Sequence, residues 1–288
     1  MTHKIHSNKK VNRSIGGNIV LIAVIGILGL VMCIPVVYIV ANAFKPINEL
    51  FLWPPPLFPR KPTLDNFVTM FQLIQSSQLP ASRYFFNSFF VAAMGTFLYI
   101  LIASLCAYPL AKHDFKLKGA YSTLLVWVLL FRSEVIAIPQ YMIISGLKLT
   151  DTYLALILPT LSGTMGVFMM LQFMNNIPKA LIEAAKIDGA GEYCIYWKII
   201  MPQVKPAWLT LLIFTFQGIW NTNSIGVSYV YSENMKMVPA LLSQITSAGF
   251  ARAGAGATVA LLLLIVPVII YLFCQSSIVE TMSHAGIK

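Results

Sequence analysis

Six stretches of the chain are dominated by apolar residues and are separated by polar segments: about residues 18–42, 87–111, 120–145, 152–175, 207–231 and 256–279. A helix needs about 20 mostly apolar residues to cross the hydrocarbon layer, so each stretch predicts one span. The expected fold is all-α, a polytopic membrane protein with six transmembrane helices. Its organisation is a basic tail over 1–17, span one over 18–42, an outer loop over 43–86, a core of five spans over 87–279, and a short tail over 280–288. The first apolar run is too long for a signal peptide, and no small-residue cleavage site follows it. Met32, before Cys33, stands where a lipoprotein site needs a small residue.

Two connections are longer than a turn. In the outer loop, Trp53-Pro54-Pro55-Pro56 and Pro59 favour extended backbone. Thr63-Leu64-Asp65-Asn66-Phe67 then opens a short amphipathic helix. This loop either touches a partner or packs as a connector on the bundle rim. The second connection, about 176–206, falls between spans four and five. Pro178 suits the first helical position, and Gly189 suits a left-handed C-terminal cap. The strong helix formers from Lys179 to Asp188 predict about 11 helical residues, near 16 Å. So short a helix is marginal alone in water and needs a docking surface. Leu181, Ala184, Ala185 and Asp188 share one face by their i, i+3, i+4, i+7 spacing, and the alanines permit close approach. Glu183 and Lys186, on an adjacent face, are spaced to pair. A second helical stretch, Glu192 to Ile200, leads past Met201-Pro202 into span five. Two readings are open: a cytoplasmic helix–turn–helix acting as a lever on the membrane helix, or an interfacial helix on lipid headgroups.

Charge sets the orientation. Six spans place both ends on one side, and with the N-terminus inside 12 of the 20 basic residues lie on inner segments. The cluster Lys4, Lys9, Lys10 and Arg13 and the loop Lys112–Lys118 weigh most under the positive-inside rule, so both termini are expected in the cytoplasm. The composition agrees: 58% of the 288 residues are hydrophobic and 10% charged, against about 25% charged in soluble domains. Mean hydropathy is +0.76. These values exclude a soluble enzyme, a disordered regulator and a nucleic-acid module, and the net charge of +10 serves orientation instead of nucleic-acid binding.

Several chemistries are missing from the sequence. The four cysteines, Cys33, Cys106, Cys194 and Cys274, have neither metal-site nor disulfide-framework spacing and read as buried small apolar residues. No G-x-x-x-x-G-K-[ST], H-E-x-x-H or G-x-S-x-G occurs. Gly254-Ala255-Gly256 reads as a flexible entry to span six. The chain is therefore expected to bind no metal or cofactor and to hold no catalytic residue.

The run Glu183-Ala184-Ala185, three residues, Gly189, nine residues, Ile199, one residue, Met201-Pro202 resembles the EAA loop of ATP-binding-cassette importer permeases. The resemblance covers nearly the whole chain and is closest to the sugar importers, in particular the shorter permease type of the maltose system. It is carried further by Pro54 to Phe67, Asn87-Ser88, Ala107-Tyr108-Pro109-Leu110-Ala111, Tyr153 to Pro159, Phe214-Thr215-Phe216 with Trp220-Asn221, and the tail from Val279 to Lys288. The chain departs from it at Met201, where Leu is usual, at Thr281, where Gly is usual, and at Thr222-Asn223, in place of Asp-Phe. The resemblance implies that Leu181, Glu183, Ala184, Ala185, Asp188 and Gly189 couple to an ATPase. It also implies that the tail residues His284, Gly286 and Lys288 reach the ATPase interface. The implied partners are a second, related but different permease chain, a cytoplasmic ATPase dimer that uses ATP and magnesium, an extracytoplasmic solute-binding protein and membrane lipid. The bacterial plasma membrane is the implied location.

Polar residues at membrane depth mark a solute path or a helix contact. Arg132 and Glu134 in span three, with Pro139 and Gln140 beyond, either line the path or pair with neighbouring helices near the outer surface. Two residues apart on a helix they point away from each other, so they pair only across a break. In span five Gln217, Trp220, Asn221, Asn223 and Ser224 offer amides and an aromatic plate, the chemistry a neutral sugar needs, although a Trp near a helix end is also an ordinary interface anchor. The expected function is a permease subunit forming the path for a sugar or oligosaccharide. Alternatives are the same machine with another cargo, or an ion-coupled secondary transporter, for which in-membrane acids and repeated broken helices are lacking.

Overall fold

A computed structural model describes residues 15–75, 80–131, 133–222, 228–247 and 249–285. Among these residues the regular structure is helical, without strands. The long first helix α1 (Ile15–Ala43) is apolar on nearly every side and exposes most of its side chains, as a lipid-facing span does. A single turn, α2 (Ile47–Leu50), and the proline-rich segment lead to α3 (Asp65–Gln75), the short amphipathic helix expected from Thr63–Phe67. Asp65 in its first turn complements the helix dipole. Next come α4 (Ala81–Lys112), α5 (Lys118–Leu129), α6 (Ser133–Gly146), α7 (Tyr153–Ile157, running on as a 3-10 turn to Ser162) and α8 (Thr164–Asn175). Thr152 starts α7, its Oγ1 accepting from Ala155 N at 3.3 Å.

The connection after α8 carries α9 (Lys179–Ile187), α10 (Glu192–Ile195), a π turn over Tyr196–Ile200 and α11 (Met201–Gln203). It enters α12 (Lys205–Asn221). The short α13 (Val238–Thr246) precedes the last long helix, α14 (Ala253–Ala285). At the centre, α4 packs chiefly on α8 and α12, α12 packs also on α14, and α14 carries α1 on its far side.

Among the described residues, three single helices are long and apolar enough to cross a membrane, Gly16–Ala43, Ser82–Lys112 and Phe250–Gln275. Two bent pairs raise the number to as many as five: Tyr153–Ser162 with Thr164–Asn175 at 49°, and Glu192–Gln203 with Lys205–Asn221 at 74°. The expected third span, 120–145, is instead two short helices, α5 and α6, on either side of residues 130–132. The fifth span also differs from its expected limit. Its helix ends at Asn221 and not near 231, where Thr222 turns to extended backbone (φ −85, ψ 126). Thr222 Oγ1 donates back to Gly218 O at 2.6 Å.

Two buried clusters divide the bundle. One joins Met70, Tyr84, Leu156, Trp220, Val238 and Val259 at the end away from the 176–206 connection. The other joins Tyr99, Met170, Met174, Ile182, Ala185 and Tyr196 beneath the 176–206 connection. Helix α4 contributes to both, so it mechanically links the two ends of the molecule. In the second cluster Tyr99 Oη accepts from Gly166 N at 2.7 Å. The hydroxyl takes up an amide of the α8 first turn that has no partner within the helix.

At the end of the bundle away from the 176–206 connection, polar side chains of α4 hold the loop before α13. Asn87 Nδ2 donates to Asn234 O at 2.8 Å and to Lys236 O at 3.0 Å, while Ser88 Oγ accepts from Val238 N at 2.8 Å. Asp151 accepts from the backbone of Tyr231 at 2.7 Å and of Ser232 at 2.9 Å. A second structure is a buried polar knot. Lys45, only 1% exposed, donates to Asn42 Oδ1 at 2.7 Å and Pro56 O at 2.5 Å. Glu49 accepts from Arg60 N at 2.8 Å and Lys61 N at 3.2 Å. Asn66 Nδ2 donates to Ala43 O at 3.0 Å and Lys45 O at 2.7 Å, supplying the end of α1 with donors its last carbonyls lack. Gly254 is not the flexible entry expected: a Cβ there would come within 2.0 Å of Asn66 Oδ1, so the glycine is a close-packing contact.

Candidate functional site: the coupling connection and the α12 cleft

Helix α9 forms where the residue pattern calls for one, starting one residue later than expected. Pro178 is extended and precedes it, leaving nine helical residues, about 13 Å long. Gly189 closes it at φ +79, and Ala190 N donates to Ala185 O at 2.9 Å, satisfying an end carbonyl. The helix has two distinct faces. Ile182 and Ala185 point into the chain and join the cluster of Met174, Ile177, Ile195 and Tyr196. Leu181, Glu183, Ala184, Asp188 and Gly189 are exposed, with Ile187 (86%) and Tyr193 (83%) beside them. Of the expected contact stripe, Ala185 thus faces inward and the rest outward. Ile187 and Tyr193 place large exposed apolar side chains beside the polar outer face of α9.

Electrostatics tie this helix to the end of α4. Lys186 Nζ lies 2.7 Å from Glu192 Oε1, replacing the expected partner Glu183. The opposite carboxylate oxygen, Glu192 Oε2, accepts from Tyr108 Oη at 2.7 Å, and His113 Nε2 stands 3.4 Å from Oε1. The hydrogen bond from Lys186, then that from Tyr108, holds the Glu192 carboxyl below the ordinary range. At the other end of α9, Lys179 lies 3.4 Å from Asp114, whose carboxyl is lowered chiefly by its hydrogen bond from Lys118. Lys112 Nζ donates to Ile177 O at 2.6 Å. The sequence reading quoted Tyr108 and Glu192 without giving them this role. The available signal was that Glu192 is the one acid between Asp188 and Glu233, in a stretch otherwise bearing Lys198 and Lys205.

On α12, Ile213, Gln217 and Asn221 form one stripe and open on a cleft of about 450 Å³ shared with α1, α13 and α14. Its walls include Leu242, Pro267 and Tyr271, and no lining side chain is charged. Trp220 is elsewhere. It is 2% exposed, donates from Nε1 to Leu263 O at 3.0 Å, and stacks on Phe216 with centroids 5.8 Å apart. The aromatic ring at the cleft is Tyr271, which the sequence reading did not single out.

The remaining site residues are placed only partly. Arg132 lies outside the described residues, as do Asn223, Ser224, Gly286 and Lys288. Glu134 belongs to α6, just after the break that would be needed for it to meet Arg132, and His284 belongs to the last turns of α14; neither side chain is described. The cysteines also differ from expectation. Cys274 is buried, but Cys33 and Cys106 are exposed on apolar helices.

A bundle of apolar helices, interrupted by one polar helix–turn–helix whose outer face is open, is the architecture of a helical membrane permease. The chain belongs to the binding-protein-dependent transport system inner membrane component family, which it matches over residues 25–281. It is 31% identical to the sulfoquinovosyl glycerol transport system permease protein SmoH of Agrobacterium fabrum, over 88% of each chain. It is 29% identical to the arabinooligosaccharides transport system permease protein AraQ of Halalkalibacterium halodurans, over 88% of this chain and 90% of that one. In fold it is similar to a chain of a bacterial ABC transporter involved in import of the acidic polysaccharide alginate. That match has a TM-score of 0.77 and 18% identity, covering 93% of this chain and 99% of the other. The protein is thus a membrane-embedded permease.

Proposed function

We propose that this permease forms half of the path by which a sugar or oligosaccharide enters a bacterial cell. A separate ATPase dimer drives the passage by hydrolysing ATP with magnesium, and the permease itself performs no chemistry. The cargo follows from relatives named for sulfoquinovosyl glycerol and arabinooligosaccharide transport. The uncharged α12 cleft, with its paired amides and one phenol, suits such a solute. Gln217 and Asn221 are the path residues in this reading, and Tyr271 replaces Trp220 as the ring a sugar packs against. A second, related permease completes the channel, and an extracytoplasmic binding protein delivers the solute. Both termini and the 176–206 connection face the cytoplasm. There Leu181, Glu183, Ala184, Asp188 and Gly189 meet the ATPase, and the tail over 280–288 contacts the same partner.

The observation that carries this reading is the split of α9 into a face buried in its own chain and an outer face bearing exposed apolar groups. A helix resting on lipid headgroups would not need an inner face locked into the protein core. The test uses the complex expressed with its ATPase and companion permease. Glu183→Ala and Gly189→Pro should insert normally yet lose uptake and solute-stimulated ATP hydrolysis; normal uptake in both removes the docking role. Asn221→Leu should reduce uptake more than assembly, and equal loss of both would make that residue structural.

A further inference from the structure

Chain continuity gives the coupling helix one obvious output, because α9 leads through α10 and α11 into α12. The side chains supply another. Lys179 ties one end of α9 to Asp114 in the loop after α4, and Lys186 ties the other to Glu192 of α10. Glu192 is the junction at the second end. One carboxylate oxygen faces Lys186 and His113, and the other accepts from Tyr108, four residues before the end of α4. Tyr108 packs edge-on against both His113 and Tyr196, with centroids 5.3 and 5.5 Å away. Next to it, Ser104 Oγ and Tyr196 Oη share a hydrogen bond of 2.6 Å. A carboxylate that accepts from two elements at once fixes their relative position through directional, charge-assisted bonds.

We propose that Glu192 is a positioning residue that locks α9 to the cytoplasmic end of α4, so that a push on α9 moves α4 together with α12. This rests on the coupling role proposed above for α9. Since α4 runs through both buried clusters and pins the loop before α13 through Asn87 and Ser88, the displacement reaches the far side of the bundle along one helix. The lock is half exposed to solvent, and ion pairs so exposed stabilise a fold little. Removing it therefore leaves an assembled protein in which coupling is measurable.

The experiment compares wild type with Glu192→Gln, Tyr108→Phe, Lys186→Met and the Lys186→Met/Glu192→Gln double variant, in the complete complex in proteoliposomes. Each single variant should assemble normally and lower solute taken up per ATP hydrolysed by at least about five-fold, the low end of ordinary coupling between sites. The double variant should lose no more than the worse single, because both changes cut one tie. An unchanged uptake-to-ATP ratio in Glu192→Gln, or losses that multiply in the double variant, overturns the proposal. Hydrogen exchange of the permease alone in nanodiscs tests the lock without the motor. Glu192→Gln and Tyr108→Phe should speed exchange of α9 amides by about three-fold or more, as expected for losing one exposed ion pair or hydrogen bond, and leave α8 unchanged. Unaltered α9 exchange also overturns the lock. If Glu183→Ala and Gly189→Pro leave uptake normal while the exchange result holds, the coupling role of α9 fails and the lock stands.

Discussion

Replacing Gly254 by alanine probes the seal between the last helix and the buried polar knot. The new Cβ would lie 2.0 Å from Asn66 Oδ1 and 2.6 Å from its Cγ, and Asn66 is itself buried. The amide must turn away, which breaks its bonds to Ala43 O and Lys45 O. Two such bonds are worth about 1 kcal/mol each. Overpacking a tight contact adds roughly 1–3 kcal/mol, and the better helix propensity of alanine returns less than about 1 kcal/mol. The expected loss of stability is about 2–4 kcal/mol. Reversible unfolding of the purified chain in a denaturing-detergent titration measures it. In an Asn66→Ala background the same glycine change should cost far less, since the obstructing amide is gone. A Gly254→Ala protein within about 0.5 kcal/mol of wild type, or an equal penalty in both backgrounds, would refute the contact as the cause.

Other outcomes follow from the coupling end and from α12. Trp220→Phe keeps the stack on Phe216 but loses the bond to Leu263 O, so unfolding should come about 1–2 kcal/mol earlier with uptake per assembled complex unchanged; the reverse pattern would return the indole to the solute path. Glu192 has a lowered pKa in the folded protein, so its stabilisation is fully present above the unfolded value of about 4.3 and is lost as pH falls through the lower folded value. Stability curves of wild type and Glu192→Gln should therefore differ at neutral pH and converge in acid. Curves that stay parallel to pH 3 would mean the carboxylate contributes nothing through ionisation.

Much of the 176–206 connection was legible in the sequence because it is written locally. Pro178, the helix formers after it and Gly189 specify α9 without outside help, and the backbone adopts the left-handed turn that Gly189 permits. The amphipathic α3 was legible for the same reason. What escaped the sequence depends on which face each helix turns to its neighbours. Trp220 and Gln217 sit three residues apart on α12, yet one is sealed against α14 and the other opens on the cleft. Lys186 chose Glu192 over Glu183 because the turn at Gly189 folds α10 back beside α9, a tertiary event that helical spacing does not register. Gly254 looked flexible because nothing in its local sequence announces Asn66. The end of α12 was misjudged for another reason: hydropathy continues past Asn221, while the backbone turns extended at Thr222.

The 74° angle between the Glu192–Gln203 arm and α12 has its own consequence. The prolines Pro202 and Pro206 flank the bend and remove the donors that would straighten it. In the coupling role proposed above, force applied along the first arm would arrive at α12 mostly crosswise, swaying the helix about its foot instead of driving it like a piston. A plunge would drag the Lys205 ammonium into hydrocarbon, at about 2.5–3.5 kcal/mol for a charge at mid-depth. In the proposed coupling role, swaying would spare the Lys205 charge that cost and leave a partner ATPase's work for opening a passage.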